Sequence, residues 1–265
     1  MARSFVAALA ATLVLAGVLA LGWSALSRGG GSPPGPSPRA AAGLLPDLRM
    51  AQLDDVELER ADDGRLLLRF TATIVNVGTG PMELVAALDG AELGRGVQRV
   101  YHEGGEFTEV PSAVTFFWAG DGHDHWHARD LQGYRVEALD GSATAVSEKH
   151  GFCLFDNAPL DAFEGRAPDS VVYECPSSED ASTIRMGLSV GWRDIYPATL
   201  PNQFIDISDL PAGRYRLWAE ADPASDERPN GWFVESVEDN NQTWVEFELD
   251  PEADSVEVLG FGPSA

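Results

Sequence analysis

Arg65-Leu66-Leu67-Leu68-Arg69-Phe70-Thr71-Ala72-Thr73-Ile74-Val75-Asn76-Val77, followed by Gly78-Thr79-Gly80-Pro81, decides the fold class. The run is long, apolar and rich in β-branched residues, and it stops at a turn signal, so it predicts a strand. Residues 82–88 read as a second, shorter strand. Segments 107–118 and 123–139 follow, each bounded by Gly or Asp. Segments 214–219 and 243–249 alternate polar and apolar side chains, as half-buried antiparallel strands do. No stretch after the N-terminal segment keeps a helical period beyond two turns. The chain therefore reads as all-β, with one β-sandwich-like domain over 44–250, long loops and a C-terminal tail at 251–265. The 157–182 connection exceeds the usual loop length, which predicts that it carries function or needs a disulfide to hold it.

The N-terminus sets the compartment. Arg3 precedes 22 uncharged residues, Phe5 to Leu26. This is an N-terminal hydrophobic helix over 1–27, either an export signal or a membrane anchor. Its length favours a retained anchor, while Ala20-Leu21-Gly22 offers a small-x-small cleavage site. Residues 28–43 are a Gly/Pro/Ser-rich spacer that cannot bury a core. Either reading puts the remaining chain outside the cytoplasm, secreted or anchored to the membrane through its N-terminal segment. There Cys153 and Cys175 are expected to form a disulfide; in a cytosolic chain they would be free thiols.

Net charge is -24 over 265 residues. That excludes a nucleic-acid partner, whose phosphates need clustered Lys and Arg. It permits a cationic substrate, or serves solubility alone. Of the 18 basic residues only Lys149 is lysine. A lone Lys among Arg suggests a position that needs a nucleophilic amine, because Arg stays protonated.

Gly122-His123-Asp124-His125-Trp126-His127-Ala128-Arg129-Asp130 holds three of the five histidines at alternate positions. On a strand, such residues share one face. A row of imidazoles suits copper, zinc or nickel, and the spacing does not choose among them. The bland alternative is a solvated, histidine-rich edge strand.

Five blocks in order carry a resemblance. His123-Asp124-His125-Trp126-His127 comes first, then Gly151-Phe152-Cys153-Leu154-Phe155-Asp156. Gly191-Trp192-Arg193-Asp194-Ile195-Tyr196 and Gln203-Phe204-Ile205-Asp206-Ile207-Ser208 follow. The last is Val234-Glu235-Ser236-Val237-Glu238-Asp239-Asn240-Asn241. Together they resemble the catalytic domain of the lysyl oxidases, over roughly 44–249, and look closest to compact prokaryotic-type members.

The resemblance implies a copper-dependent amine oxidase acting with O2 on primary amines or lysine-containing proteins. Such enzymes yield aldehyde, H2O2 and ammonia. Copper would be held by His123, His125 and His127. A lysine tyrosylquinone cofactor would be built from Lys149, four residues before Cys153, and Tyr196, preceded by Asp194. Asp194 is the first candidate for the catalytic base, with Asp130, Glu148 and His150 as others. A family calcium site maps onto Asp47, Leu48 (through its carbonyl), Glu235, Asn240 and Asn241. Val237 stands where that pattern has Asp, which weakens the site unless Asp239 substitutes. Cys153 matches a family cysteine; Cys175 has no counterpart at equivalent spacing.

Two other readings compete. One is a non-catalytic extracytoplasmic metal-binding β-sandwich module, against which intact Lys149 and Tyr196 speak. The other is a zinc hydrolase, for which only His102 and His150 remain as further imidazoles. Trp192, Trp218, Trp232, Trp244, Tyr134 and Tyr215 read as packing aromatics, and His102 as a surface residue.

Overall fold

The computed structural model describes residues 43–88, 95–119 and 124–263. Among them it contains β1 (Leu48–Met50), β2 (Asp54–Arg60), β3 (Leu66–Asn76), β4 (Met82–Ala87), β5 (Arg95–Tyr101), β6 (Phe107–Trp118), β7 (Trp126–Arg129), β8 (Gln132–Ala138) and β9 (Thr144–Val146). Then come β10 (Gly151–Phe152), β11 (Ala158–Pro159), β12 (Thr183–Leu188), β13 (Trp192–Tyr196), β14 (Phe204–Asp206), β15 (Gly213–Ala221), β16 (Gln242–Asp250) and β17 (Ser255–Phe261). The described chain is all-β and its pairings are antiparallel. The hydrophobic N-terminal helix expected over 1–27, and the spacer expected over 28–43 except its last residue, lie outside the described residues. No helix among the described residues is long and apolar enough to cross a membrane.

The expected sandwich gives way to three antiparallel sheets that do not close into one. The orders are β1-β3-β13-β11, with β2 and β14 also on β3; β10-β7-β6-β5-β4-β12; and β17-β16-β15-β8-β9. The cause is strand length. β3 has 11 residues and serves two sets of partners. Its first half pairs with β2 and β14, and its second half with β1 and β13. β6, with 12 residues, holds β5 along most of its length and β7 at its end. A long strand that outruns its neighbour must find another partner for its backbone groups. β3 is buried along nearly its whole length, which its unbroken apolar run anticipates.

The strand expected over 123–139 is two strands. Asp130 sits between β7 and β8 with φ 58°, a left-handed conformation that breaks the ladder. The segment 251–265 is more than a tail, since β17 pairs along β16. The core gathers Phe70, Phe116, Phe152, Tyr215 and Phe247, all fully buried. Tyr134 and Trp192 are buried as expected, while Trp218 and Trp244 meet edge-on at 6.3 Å. His102, read as a surface residue, is half-buried and bonds Thr108 Oγ1 at 2.9 Å.

Candidate active site

The first two sheets bring the site together. Tyr196 ends β13 in the first sheet, and His127 lies on β7 in the second. β10 pairs with β7, setting Gly151 opposite Arg129 and Phe152 opposite Ala128. Lys149 precedes β10, and its backbone N–H donates to Ser147 Oγ at 3.2 Å. A cavity of about 660 Å³ is lined by His125, His127, Lys149, Cys153, Glu174, Cys175 and Tyr196, among others. Its volume falls within the range of small-molecule sites.

His125 sits on the bend before β7 and His127 within the strand, so the row is only partly a strand face. His123 lies outside the described residues. The Nε2 atoms of His125 and His127 are 2.9 Å apart, so two imidazole nitrogens converge on one point. That donor set fits copper, zinc or nickel. His127 is buried and packs edge-on against the Phe117 ring at 5.5 Å. A Cβ on Gly151 would stand 2.4 Å from His127 Nδ1 and 2.8 Å from Phe117 Cζ. The glycine is therefore required by the approach of the imidazole, a constraint that sequence reading missed.

Lys149 Nζ lies 5.6 Å from the centre of the Tyr196 ring and 5.2 Å from that of Phe152. Phe152 meets Tyr196 edge-on at 5.7 Å. The structure thus brings the lone lysine to the tyrosine that the resemblance picked out. The Tyr196 hydroxyl donates to the Cys153 carbonyl at 2.9 Å. Burial, reinforced by the charge of Asp194, pushes that hydroxyl well above its ordinary range.

Asp194 and Tyr196 are two apart on β13 and share its buried face. Burial drives the Asp194 carboxyl well above the usual range, against the pull of Tyr196 and the Phe155 amide beside it. Of the other expected bases, His150 Nδ1 and Asp130 Oδ1 pair with each other at 2.6 Å on the surface. Glu148 lines a smaller cavity that Lys149 and His127 also line.

Cys153 and Cys175 form a disulfide with their Cα atoms 5.9 Å apart, in the wall of the main cavity. The neighbouring strip is fixed twice more. Asp156 Oδ2 accepts the Val172 and Tyr173 amides at 2.8 and 3.3 Å. The Tyr173 hydroxyl donates to the fully buried Glu83 carboxylate at 2.8 Å. Burial pushes the Glu83 carboxyl up, but the Arg185 guanidinium and the Tyr173 and Tyr101 hydroxyls outweigh it and hold it below the ordinary range; Arg99 also pairs with it at 3.3 Å.

The five residues expected at a calcium site also meet. Glu235 accepts the Leu48 amide at 2.5 Å and the Asn241 Nδ2 group at 2.9 Å, and Asn240 donates to Asp47 Oδ1 at 2.9 Å. Leu48 thus turns its N–H to Glu235. Sequence reading missed Asp222 and Glu238, whose carboxylate oxygens lie within 4.8 Å of each other and of Glu235. The Oδ1 atoms of Asn240 and Asn241 are buried and make no hydrogen bond among the described residues. Bare amide oxygens beside carboxylates fit an oxygen-seeking cation such as Ca²⁺.

The lysyl oxidase family model matches residues 90–256, more than half of the chain. Lysyl oxidase homolog 2 of Gallus gallus is 28% identical over 151 residues, 54% of this chain and 18% of that protein. Lysyl oxidase homolog 3 of Homo sapiens is 30% identical over 129 residues, 46% of this chain and 16% of that protein. The chain thus spans less than a fifth of the length of these relatives. On the match of the family model, which takes in the histidine row, Lys149 and Tyr196, the chain belongs to the lysyl oxidase family.

Proposed function

We propose that this chain is a copper-dependent amine oxidase, a compact prokaryotic-type family member that works outside the cytoplasm. It would convert a primary amine, O2 and water to an aldehyde, ammonia and H2O2. The observation that carries this reading is Lys149 Nζ at 5.6 Å from the Tyr196 ring, in one cavity with the convergent His125 and His127. The spacer and hydrophobic segment at 1–43 would hold the domain off a membrane, or be removed on export.

His125 and His127, with His123, would hold the copper. Lys149 and Tyr196 would be joined as lysine tyrosylquinone, which supplies the carbonyl that condenses with the amine and the sink for its electrons. The remaining work belongs to the chain's own side chains. The Cys153 carbonyl and Phe152 fix the Tyr196 ring. Asp194, buried beside the Tyr196 hydroxyl, is the site's proton acceptor; its raised carboxyl makes it a stronger base than an exposed Asp. Phe155, Val171 and Leu200 give the cavity apolar walls for an aliphatic chain. Of the two lining carboxylates, Asp156 is taken up by hydrogen bonds to its own strip, and Glu174 would draw the cationic substrate. Asp47, Glu235, Asn240 and Asn241, with Asp222 and Glu238, would hold calcium.

The test is quinone detection in protein matured with Cu²⁺ under air. A visible quinone band is expected, lost in Lys149→Arg and Tyr196→Phe. A colourless copper-loaded protein without amine-dependent H2O2 would sink this reading and favour a metal-binding module.

A further inference from the structure

Five polar atoms close to Tyr196 are buried and make no hydrogen bond among the described residues. They are both carboxylate oxygens of Asp194, both amide atoms of Gln203, and Nε2 of Gln132. Asp194 and Gln203 are fully buried, and Gln132 is 3% exposed. Three separate elements deliver them. Asp194 comes from β13, Gln132 opens β8, and Gln203 immediately precedes β14.

They gather around the Tyr134 and Tyr196 hydroxyls. The Tyr134 hydroxyl donates to Gln132 Oε1 at 2.5 Å. The Gln203 amide lies beside that same hydroxyl, which also feels Asp194. Gln132, Asp194 and Tyr134 in turn all act on the Tyr196 hydroxyl. Turning the Gln203 amide over would not help, because both of its atoms are bare. Burying bare amides and a bare carboxylate is costly, and packing alone would be served better by an apolar side chain. A polar chamber with at least two partners to offer is where a buried water is held.

We propose that Gln203 and Gln132 are positioning residues for Tyr196: with Asp194 they hold ordered water against the ring and fix its rotation toward Lys149. This gives a task to the 203–208 block, which the copper and the lysine–tyrosine pair leave without one. The proposal rests on the amine oxidase reading for its consequence, and not for its geometry.

The first measurement is a high-resolution crystal structure of the copper-free full chain. An ordered water within hydrogen-bond distance of the Gln203 amide and the Asp194 carboxylate is expected. A dry chamber, with the Gln203 amide bonded directly to protein, would overturn the proposal. This arm needs no quinone, so it decides even where the wild-type chain forms none and the amine oxidase reading fails.

The second measurement uses Gln203→Met and Gln132→Met, which keep side-chain length and remove the amide. The thermal midpoint of Gln203→Met should be unchanged or higher, since its bare amide leaves the core, whereas that of Gln132→Met should fall, since the buried Tyr134 hydroxyl loses its acceptor. Quinone formation with copper and air should slow by at least about tenfold, as small misplacements of reacting groups do. Wild-type quinone rate and band position in both variants would overturn the proposal. So would loss of quinone in Gln203→Met in step with a lowered thermal midpoint, which marks a packing role alone.

Discussion

The absence of a side chain at position 151 lets His127 keep its place. A methyl there would stand 2.4 Å from the imidazole and 2.8 Å from Phe117, and neither ring has room to yield while both stay packed. Gly151→Ala should therefore turn His127 away from His125 and lower copper affinity by about tenfold or more, as loss of a ligand's support does. A copper competition titration measures it, with circular dichroism to check that the fold persists; wild-type affinity would refute the argument. Glu174 makes a second case. Asp156 also lines the cavity, but its oxygens are taken by the Val172, Tyr173 and Ser189 amides and the Ser189 hydroxyl. Glu174→Gln should raise KM for lysine-rich peptides by about two- to fivefold, the scale of an exposed charge pair. kcat should hold, and amines with neutral chains should be unaffected; equal changes for both classes would count against it. At this scale the sequence was informative where chemistry demands a rare residue, as with the histidine row and the lone Lys149. It was silent on Gly151, Gln203 and Glu174, ordinary residue types whose importance comes from what faces them in space.

The segment between β15 and β16 acts as one element. Asp222 accepts the Trp232 and Phe233 amides and gathers with Glu235 and Glu238. A Cβ on Gly231 (φ 72°) would lie 2.4 Å from the Asp222 carboxyl. Burial pushes that carboxyl from the ordinary 3.8 up to about 7, the two backbone amides opposing. A raised carboxyl contributes stability that is present below the unfolded value and lost as pH rises through the folded one. Without a divalent cation, the thermal midpoint should fall between about pH 4 and pH 7, by an amount on the order of a few kcal/mol in stability. Calcium should restore it at pH 7 and do little at pH 4. Asp222→Asn should flatten that slope and blunt the calcium response; calorimetry showing the same slope in both proteins would remove Asp222 from the account. Strand existence was legible at this scale, and 107–118 was read to the residue. The break at Asp130 was not, because a left-handed Asp leaves no mark on the apolar pattern. The partnership of Asp222 with Glu238 was hidden for another reason: it joins residues 16 apart through a turn that no periodicity encodes.

Over the whole molecule, a net charge of -24 surrounds an apolar cavity with two carboxylates, Asp156 and Glu174, in its lining. Long-range attraction of a cationic amine should show in kcat/KM, falling as salt shortens the Debye length, while a neutral inhibitor of the cavity keeps its affinity. A salt-independent kcat/KM would assign the acidity to solubility alone. The all-β class was readable from alternation and turn residues. The count of sheets was not, because it depends on how far β3 and β6 outrun their partners, a matter of pairing in three dimensions. β3 also joins the two candidate sites. It sets Tyr196 opposite Ala72 and Leu48 opposite Asn76, with β2 and β14 held at its other end. Side chains alternate along a strand, so one residue inserted between Leu68 and Ala72 would turn the half of β3 that holds β1 and β13, with Tyr196 and Asp194, to the opposite face relative to β2 and β14, or tear one set of partners away. Insertions should be lethal to maturation there and tolerated at the exposed turns 140–142 and 252–254. As such chains diverge, their length is free to drift at the rim and held fixed along this one strand.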